Sequence, residues 1–419
     1  DQIDLSWSDN SDNESGFEIE RKLASEATSA YQNIASVPAN SSSYTDTGLS
    51  PSTEYDYRLT AVNDDGASST IEASASTTAG QFIHVSHGGS DTTGTGSATA
   101  PYATIAHALS QTTAGSDQEI RVAGSDTGEV YAENQELTVP NSIDVSGGWD
   151  PSFTAPGSTA YITTVSVPAC ESPVVSVSGN DELTELAHLS VEVIGNCASP
   201  ATGLYLQESP VTVDSVSVTA INNREEAVGI HIVTTDDAAN VTISNSEVVA
   251  RSPDHPDNNP FEAYSRGLWI RDFVGSTGSE ASSTVTVTNT DITTESRNSE
   301  SYAVYLDDFT GTASFDGGTW NPTASTSGVF SLAVRGLFQR SNQDSDITIE
   351  NVTINGNYAS GHDSMGIQIT ASTAGSTFTA TNNTITGSKW GLITNSFVNG
   401  ALTVTGNTIE LDDTPDGSG

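Results

Sequence analysis

The sequence predicts an all-β chain in two parts, a short-stranded amino-terminal unit followed by a long β-solenoid. Three observations carry this. Helix signals are scarce while Thr, Ser, Val, Asn and Gly dominate; residues 1–79 hold short runs of alternating apolar residues; and an eight-residue phrase recurs along the second half. Alternation with period two marks a half-buried strand. A phrase that returns every few tens of residues marks stacked coils.

The amino-terminal runs are Ile3-Leu5-Trp7, Phe17-Ile19 and Tyr55-Tyr57-Leu59, with turn formers between them. The stretches "IDLSWSDNSDNESGFEIERK" and "YTDTGLSPSTEYDYRLTAVNDDG" resemble a fibronectin type III module. The resemblance implies that Trp7 fills the core and that Leu49 and Tyr55 form the tyrosine-corner region. It begins at the module's second strand, so the first strand is missing. An edge at Ile3, Leu5 and Trp7 is therefore expected to accept a strand from upstream sequence or from a neighbouring subunit. The module's fold alone says little about activity.

The second domain is expected over residues 80–419, with a lead-in segment at 82–109. That segment starts with a strand, crosses a Gly/Thr loop and enters a helix at "PYATIAHAL", with Pro101 suited to the first turn. It resembles the amino-terminal segment of secreted right-handed parallel β-helix proteins of the pectate-lyase-like type. "DVSGGWDPSF" (144–153) resembles the same surface-protein group. The resemblance implies a right-handed parallel β-helix.

The repeat itself reads VTVDSVSV (211–218), VTISNSEV (241–248), VTVTNTDI (285–292), ASFDGGTW (313–320), ITIENVTI (347–354), FTATNNTI (378–385) and LTVTGNTI (402–409). Its fifth position is Ser215, Asn245, Asn289, Gly317, Asn351, Asn382 and Gly406. Asn and Gly tolerate the left-handed backbone that a sharp bend requires, so each phrase is strand, bend, strand. "TELAHLSV" (184–191) reads as an earlier turn with His188 at its bend, and "RSPDHPDNNPFEAYS" (251–265) as an inserted loop.

Between phrases lies another strand: GLYL (203–206), GIHI (229–232), GLWI (267–270), AVYL (303–306), GVFS (328–331), GIQI (366–369) and GLIT (391–394). Its second and fourth positions belong in the core, so the third faces out. This predicts an outward ladder of Tyr205, His231, Trp269, Tyr305 and Phe330, continued by Gln368 and Ile393. A contiguous aromatic stripe suits a partner subunit or a sugar chain. The subunit is favoured, because the sequence shows no convergent set of charged groups to orient a glycan.

Fragments of a polygalacturonase pattern occur in order, as "NTD" (289–291), "DD" (307–308) and "GHD" (361–363). They make Asp307, Asp308 and His362 an alternative catalytic set, since inverting hydrolysis needs two carboxylates across a water-sized gap. Three facts oppose it. Asn289 and Asp291 sit in the structural repeat, the Gly-His follows the Asp pair by two coils, and no Arg-x-Lys follows. A lyase needs a base beside a uronate and usually calcium. Arg266 and Arg271 flank the ladder near Asp254, Asp257, Glu262 and Asp272, and read as surface ion-pair partners. No catalytic set is assigned and no cofactor is expected; structural calcium in the acidic loop stays open. His84, His87 and His107 show no metal-ligand spacing, and the "GSDTTGTGS" loop lacks a lysine for phosphate.

Acidic residues outnumber basic ones 54 to 12, a net charge of −42, which argues against nucleic acid and anionic membranes. No apolar run is long enough to span a bilayer, so membrane insertion is not expected. Cys170 and Cys197, one coil length apart, are expected to form a disulfide in an oxidising compartment, with two buried thiols as the alternative. The expected function is that of an extracellular, cell-surface structural or adhesive protein, a stalk, filament or surface-layer subunit with homo-oligomer or filament neighbours as partners. The alternative is a β-helix that binds or degrades polysaccharide.

Overall fold

The computed structural model describes residues 2–10, 13–47, 49, 54–77, 82–157, 163–167, 173–196, 198–234, 240–252, 264–272, 283–297, 300–325, 333–340, 345–356, 363–372, 376–397 and 400–411. The chain divides into two compact units, Asp1–Gln81 and Phe82–Gly419. Cys170, Cys197, Phe330, His362 and most of the 251–265 loop lie outside the described residues.

The first unit has seven strands: β1 (Gln2–Ser6), β2 (Gly16–Leu23), β3 (Gln32–Pro38), β4 (Ser43–Thr47), β5 (Glu54–Asn63), β6 (Gly66–Ala67) and β7 (Ile71–Ser76). β1 pairs antiparallel with β4, while β3, β2 and β5 form a second sheet completed by β6 and β7. Alternation puts Ile3, Ile19, Tyr55 and Tyr57 inside with Leu49. Trp7 is half-buried at the rim, its ring 5.6 Å from Phe17. Tyr57 donates its hydroxyl to Asp46 at 2.7 Å, and Arg21 pairs with the same carboxylate at 2.8 Å. Among the described residues no strand pairs with the other side of β1.

The second unit is a right-handed parallel β-helix of three sheets with eleven, ten and nine strands. One coil runs Val211–Asp214 in the eleven-stranded sheet, Ser217–Asn222 in the ten-stranded sheet and Ala227–Thr234 in the nine-stranded sheet. The bend residues of the repeated phrase have a positive φ: 55° at His188 and Ser215, 50° at Asn245, 46° at Asn289, 54° at Asn351 and 55° at Asn382. Gly317 and Gly406 complete the column at 75° and 68°. The bend repeats because these residues tolerate the left-handed region. Inward Val, Ile, Leu and Phe from all three sheets merge in one core.

The lead-in helix is shorter than expected, spanning Ile105–Ser110, and its cap is Thr104, whose side chain accepts from the His107 N–H. Pro101 therefore precedes the helix. Ile105, Ala108 and Leu109 pack into the core beside the first strands. A solenoid needs such a cover because its terminal coil has no neighbour on one side. No helix among the described residues is long and apolar enough to cross a membrane.

Candidate functional site

The nine-stranded sheet presents three outward columns. Seven of its nine strands turn a corner at one small residue: Gly203, Gly229, Gly267, Ala303, Gly336, Gly366 or Gly391. At Gly267 a side chain pointing inward would run into Ile292 and the Ala303 carbonyl, so this position faces the interior. Leu268 follows it inward and is fully buried. Two successive inward residues break the alternation, so Arg266, Trp269 and Arg271 all face out.

Registered pairing stacks these positions coil upon coil, about 4.8 Å apart. The central column runs Tyr205, His231, Trp269, Tyr305, Phe338, Gln368 and Ile393. One flank places Val228, Arg266, Tyr302 and Arg335 in register, and the other Val233, Arg271, Asp307 and Arg340. The ladder expected from the sequence is therefore present with one correction. The rung after Tyr305 is Phe338 and not Phe330.

The rings stack on one another instead of forming a bare stripe. His231 lies 4.1 Å from Trp269 with 3° between planes, and Tyr305 lies 5.3 Å from Phe338 at 9°. Tyr205 meets His231 edge-on at 5.4 Å. Between Trp269 and Tyr305, 6.4 Å apart, the Arg266 guanidinium sits 4.3 Å from the first ring and 4.9 Å from the second. Tyr305 is only 6% exposed as a result. The outward face thus offers ring edges and polar atoms, which departs from the open apolar interface expected.

Around Tyr305 the columns enclose a cleft of about 430 Å³, lined by Tyr264, Arg266, Arg271, Glu300, Tyr302, Tyr305, Asp307, Arg335 and Phe338. Arg266 pairs with Glu226, Arg271 with Asp307 at 3.5 Å, and Arg335 with Glu300 at 3.7 Å. Arg335 also donates to Gln368 Oε1 at 2.5 Å and to the Tyr302 hydroxyl at 3.0 Å. The Tyr302 hydroxyl donates to Glu300.

Burial sets the protonation of these groups. It lowers Arg266 to about 10, opposed by Tyr305, Asp307 and Glu300. It raises Glu300 against the pull of Arg335 and Arg266. It lowers His231 to about 4, helped by Arg271, so the imidazole is neutral at neutral pH. Four buried polar atoms of the ladder and its Arg266 flank have no hydrogen-bond partner among the described residues: His231 Nε2, Trp269 Nε1, Arg266 Nε and Arg266 Nη1. Of these residues, Arg266 lines the cleft.

Residues 1–78 match the fibronectin type III domain. The amino-terminal unit is a fibronectin type III domain. No curated relative matches the chain in sequence. Among solved structures, the pectate lyase from Erwinia chrysanthemi in complex with tetragalacturonic acid is 11% identical, with a TM-score of 0.24, covering 98% of this chain and 96% of that one. A family 28 exopolygalacturonase from Yersinia enterocolitica is 11% identical, with a TM-score of 0.26 and coverage of 99% and 97%. A rhamnogalacturonan lyase is 12% identical over 74% of each chain, with a TM-score of 0.23. At such identities and TM-scores these likenesses carry no argument, and the cleft stands on its own residues.

Of the alternative catalytic set, His362 lies outside the described residues. Asp307 is 3% exposed and held by Arg271, whereas Asp308 is exposed at a corner with φ of 52°. No group of three or more His, Cys, Asp or Glu side chains among the described residues is placed to hold a metal ion. His84 Nδ1 donates to the Gly96 carbonyl, 3.0 Å away, and the ring packs 4.5 Å from Phe153, a structural role. Tyr302, Glu300, Arg335 and Phe338 were not legible as site residues. For Tyr302 and Arg335 the signal was the small residue that follows each, Ala303 and Gly336, which places the residue before it on the outer face.

Proposed function

We propose that the nine-stranded sheet binds a polysaccharide chain laid along the solenoid axis, with its best-held segment in the cleft around Tyr305. The observation that carries this is the convergence of three arginines, two carboxylates and three tyrosines from consecutive coils. That is the set of groups whose apparent absence favoured a subunit interface in the sequence. Each coil rises by about the length of one pyranose residue, so successive rungs meet successive sugars. The orphaned Trp269 Nε1 and His231 Nε2 supply further hydrogen-bonding positions on the same line.

Binding without cleavage is the reading the carboxylates support. Glu300 and Asp307 stand at opposite ends of the strand Ser301–Asp307. Both are also engaged by arginines. An extracellular surface protein that holds a glycan on its solenoid, with the fibronectin type III domain as a spacer, joins these features to the acidic, soluble composition.

Affinity electrophoresis of the full chain through gels containing plant and bacterial polysaccharides tests this. Retardation by at least one polysaccharide, lost in Tyr305→Ala with the melting profile preserved, is expected. Retardation that is unchanged in Tyr305→Ala and Arg335→Ala contradicts it.

A further inference from the structure

Resting on the polysaccharide reading, we propose that the chain held in this cleft is uncharged. Three arginines in one cleft invite the opposite conclusion, and the pairing decides against it. Arg266 is matched by Glu226, Arg271 by Asp307 and Arg335 by Glu300, so the described side chains leave no net positive charge. The chain around them carries −42, and that field repels an approaching polyanion at every range the salt does not screen. A ligand carboxylate entering here competes with a protein carboxylate already seated on the same guanidinium.

What the pairs offer is a mixed array of donors and acceptors. Arg335 shows the pattern: beside Glu300 it donates to Gln368 Oε1 and to the Tyr302 hydroxyl, which donates in turn to Glu300. That pair therefore presents donors and acceptors side by side, the complement of adjacent sugar hydroxyls, which donate and accept in turn. The Tyr302 hydroxyl between Arg335 and Glu300 extends that array. A site built for anions would leave its cations unmatched; this one matches each.

Calorimetric titration of the full chain tests the inference, with cellohexaose, xylohexaose and mannohexaose as neutral probes and hexagalacturonate and hexamannuronate as acidic ones, at low and high sodium chloride. At least one neutral probe is expected to bind with little salt dependence, and the acidic probes to bind about tenfold more weakly or worse at low salt. Arg271→Gln, whose side chain is 34% exposed, should weaken the neutral probe without unfolding the coil, as checked by melting. Asp307→Asn should unmatch Arg271 and raise hexagalacturonate affinity severalfold. If an acidic probe binds the unmodified chain more tightly than every neutral one, and loses affinity in Arg271→Gln, the inference is overturned while the polysaccharide reading stands. If no probe binds, the polysaccharide reading fails and this inference with it.

Discussion

Replacing Arg266 with methionine is the sharpest perturbation of the cleft. The side chain is buried, paired to Glu226, and wedged between the Trp269 and Tyr305 rings. Its loss leaves the Glu226 carboxylate without its partner, and breaking one half of a buried pair costs about 3–5 kcal/mol. The cation–π contacts add on the order of 1 kcal/mol, part of which the methionine recovers by filling the gap. A loss of roughly 3 kcal/mol is expected for Arg266→Met. Adding Glu226→Gln should recover most of it, since no charge then remains to be desolvated. The assay is urea unfolding followed by tryptophan fluorescence in a Trp7→Phe background, which confines the signal to Trp149, Trp269, Trp320 and Trp390 of the solenoid and avoids mixing two domains in one transition. Both variants should lose polysaccharide binding. A single variant within about 0.5 kcal/mol of the parent, or a double variant no more stable than the single, would refute the account of Arg266 as a charge-paired wedge.

Three further outcomes follow from the same coordinates. Asp144, beside Glu119 and Glu185 on the eleven-stranded sheet, is raised to about 7 chiefly by burial. Its folded value lies above its unfolded one, so the stability it allows is present in acid and is lost as pH rises from about 4 through about 7. Asp144→Asn should therefore stabilise by on the order of 1–3 kcal/mol at pH 8 and by little at pH 4, checked by melting across that range; an equal effect at both pH values contradicts the assignment. Asn382, at φ of 55°, should tolerate Gly with a small loss but lose about 1–2 kcal/mol as Val, measured by the same unfolding curves. Incubation with polygalacturonate or alginate should release neither reducing ends nor unsaturated products, and product formation abolished by Asp307→Asn would overturn the non-cleaving reading.

The fold was legible because its repeat rests on backbone sterics. Only residues that accept a positive φ fit the bend, and Ser215, Asn245, Asn289, Gly317, Asn351, Asn382 and Gly406 announce it without any contact information. The central ladder was legible for a similar reason, since Leu268 and Ile270 fix which way Trp269 points. The error at Phe330 arose where two phrases, "GVFS" and "GLFQ", both fit the strand; coil closure against Tyr305 selects the second. Arg266 and Arg271 were legible as ion-pair partners flanking the ladder, and both are paired. Tyr302 and Arg335 were missed because strict alternation counts outward from the buried second position through the small residue before it. The corner at Gly336 breaks that count. Ion pairs such as Arg335 with Glu300 join residues of different coils, and no local pattern encodes them.

The central claim is that ligand contacts the ladder at the cleft, and the indole N–H resonances of the five tryptophans report it most directly. The Trp269 ring packs 4.3 Å from the guanidinium of the cleft residue Arg266, whereas Trp320 is enclosed in the solenoid core at 1% exposure and Trp390 lies on another coil. Titration of the full chain, ¹⁵N-labelled, with the hexasaccharide that binds most tightly should shift the Trp269 indole N–H as it gains an acceptor and leave that of Trp320 in place, with Trp269→Phe used to assign the peak. Saturable binding that leaves the Trp269 resonance unmoved would contradict the account and place the glycan elsewhere on the protein.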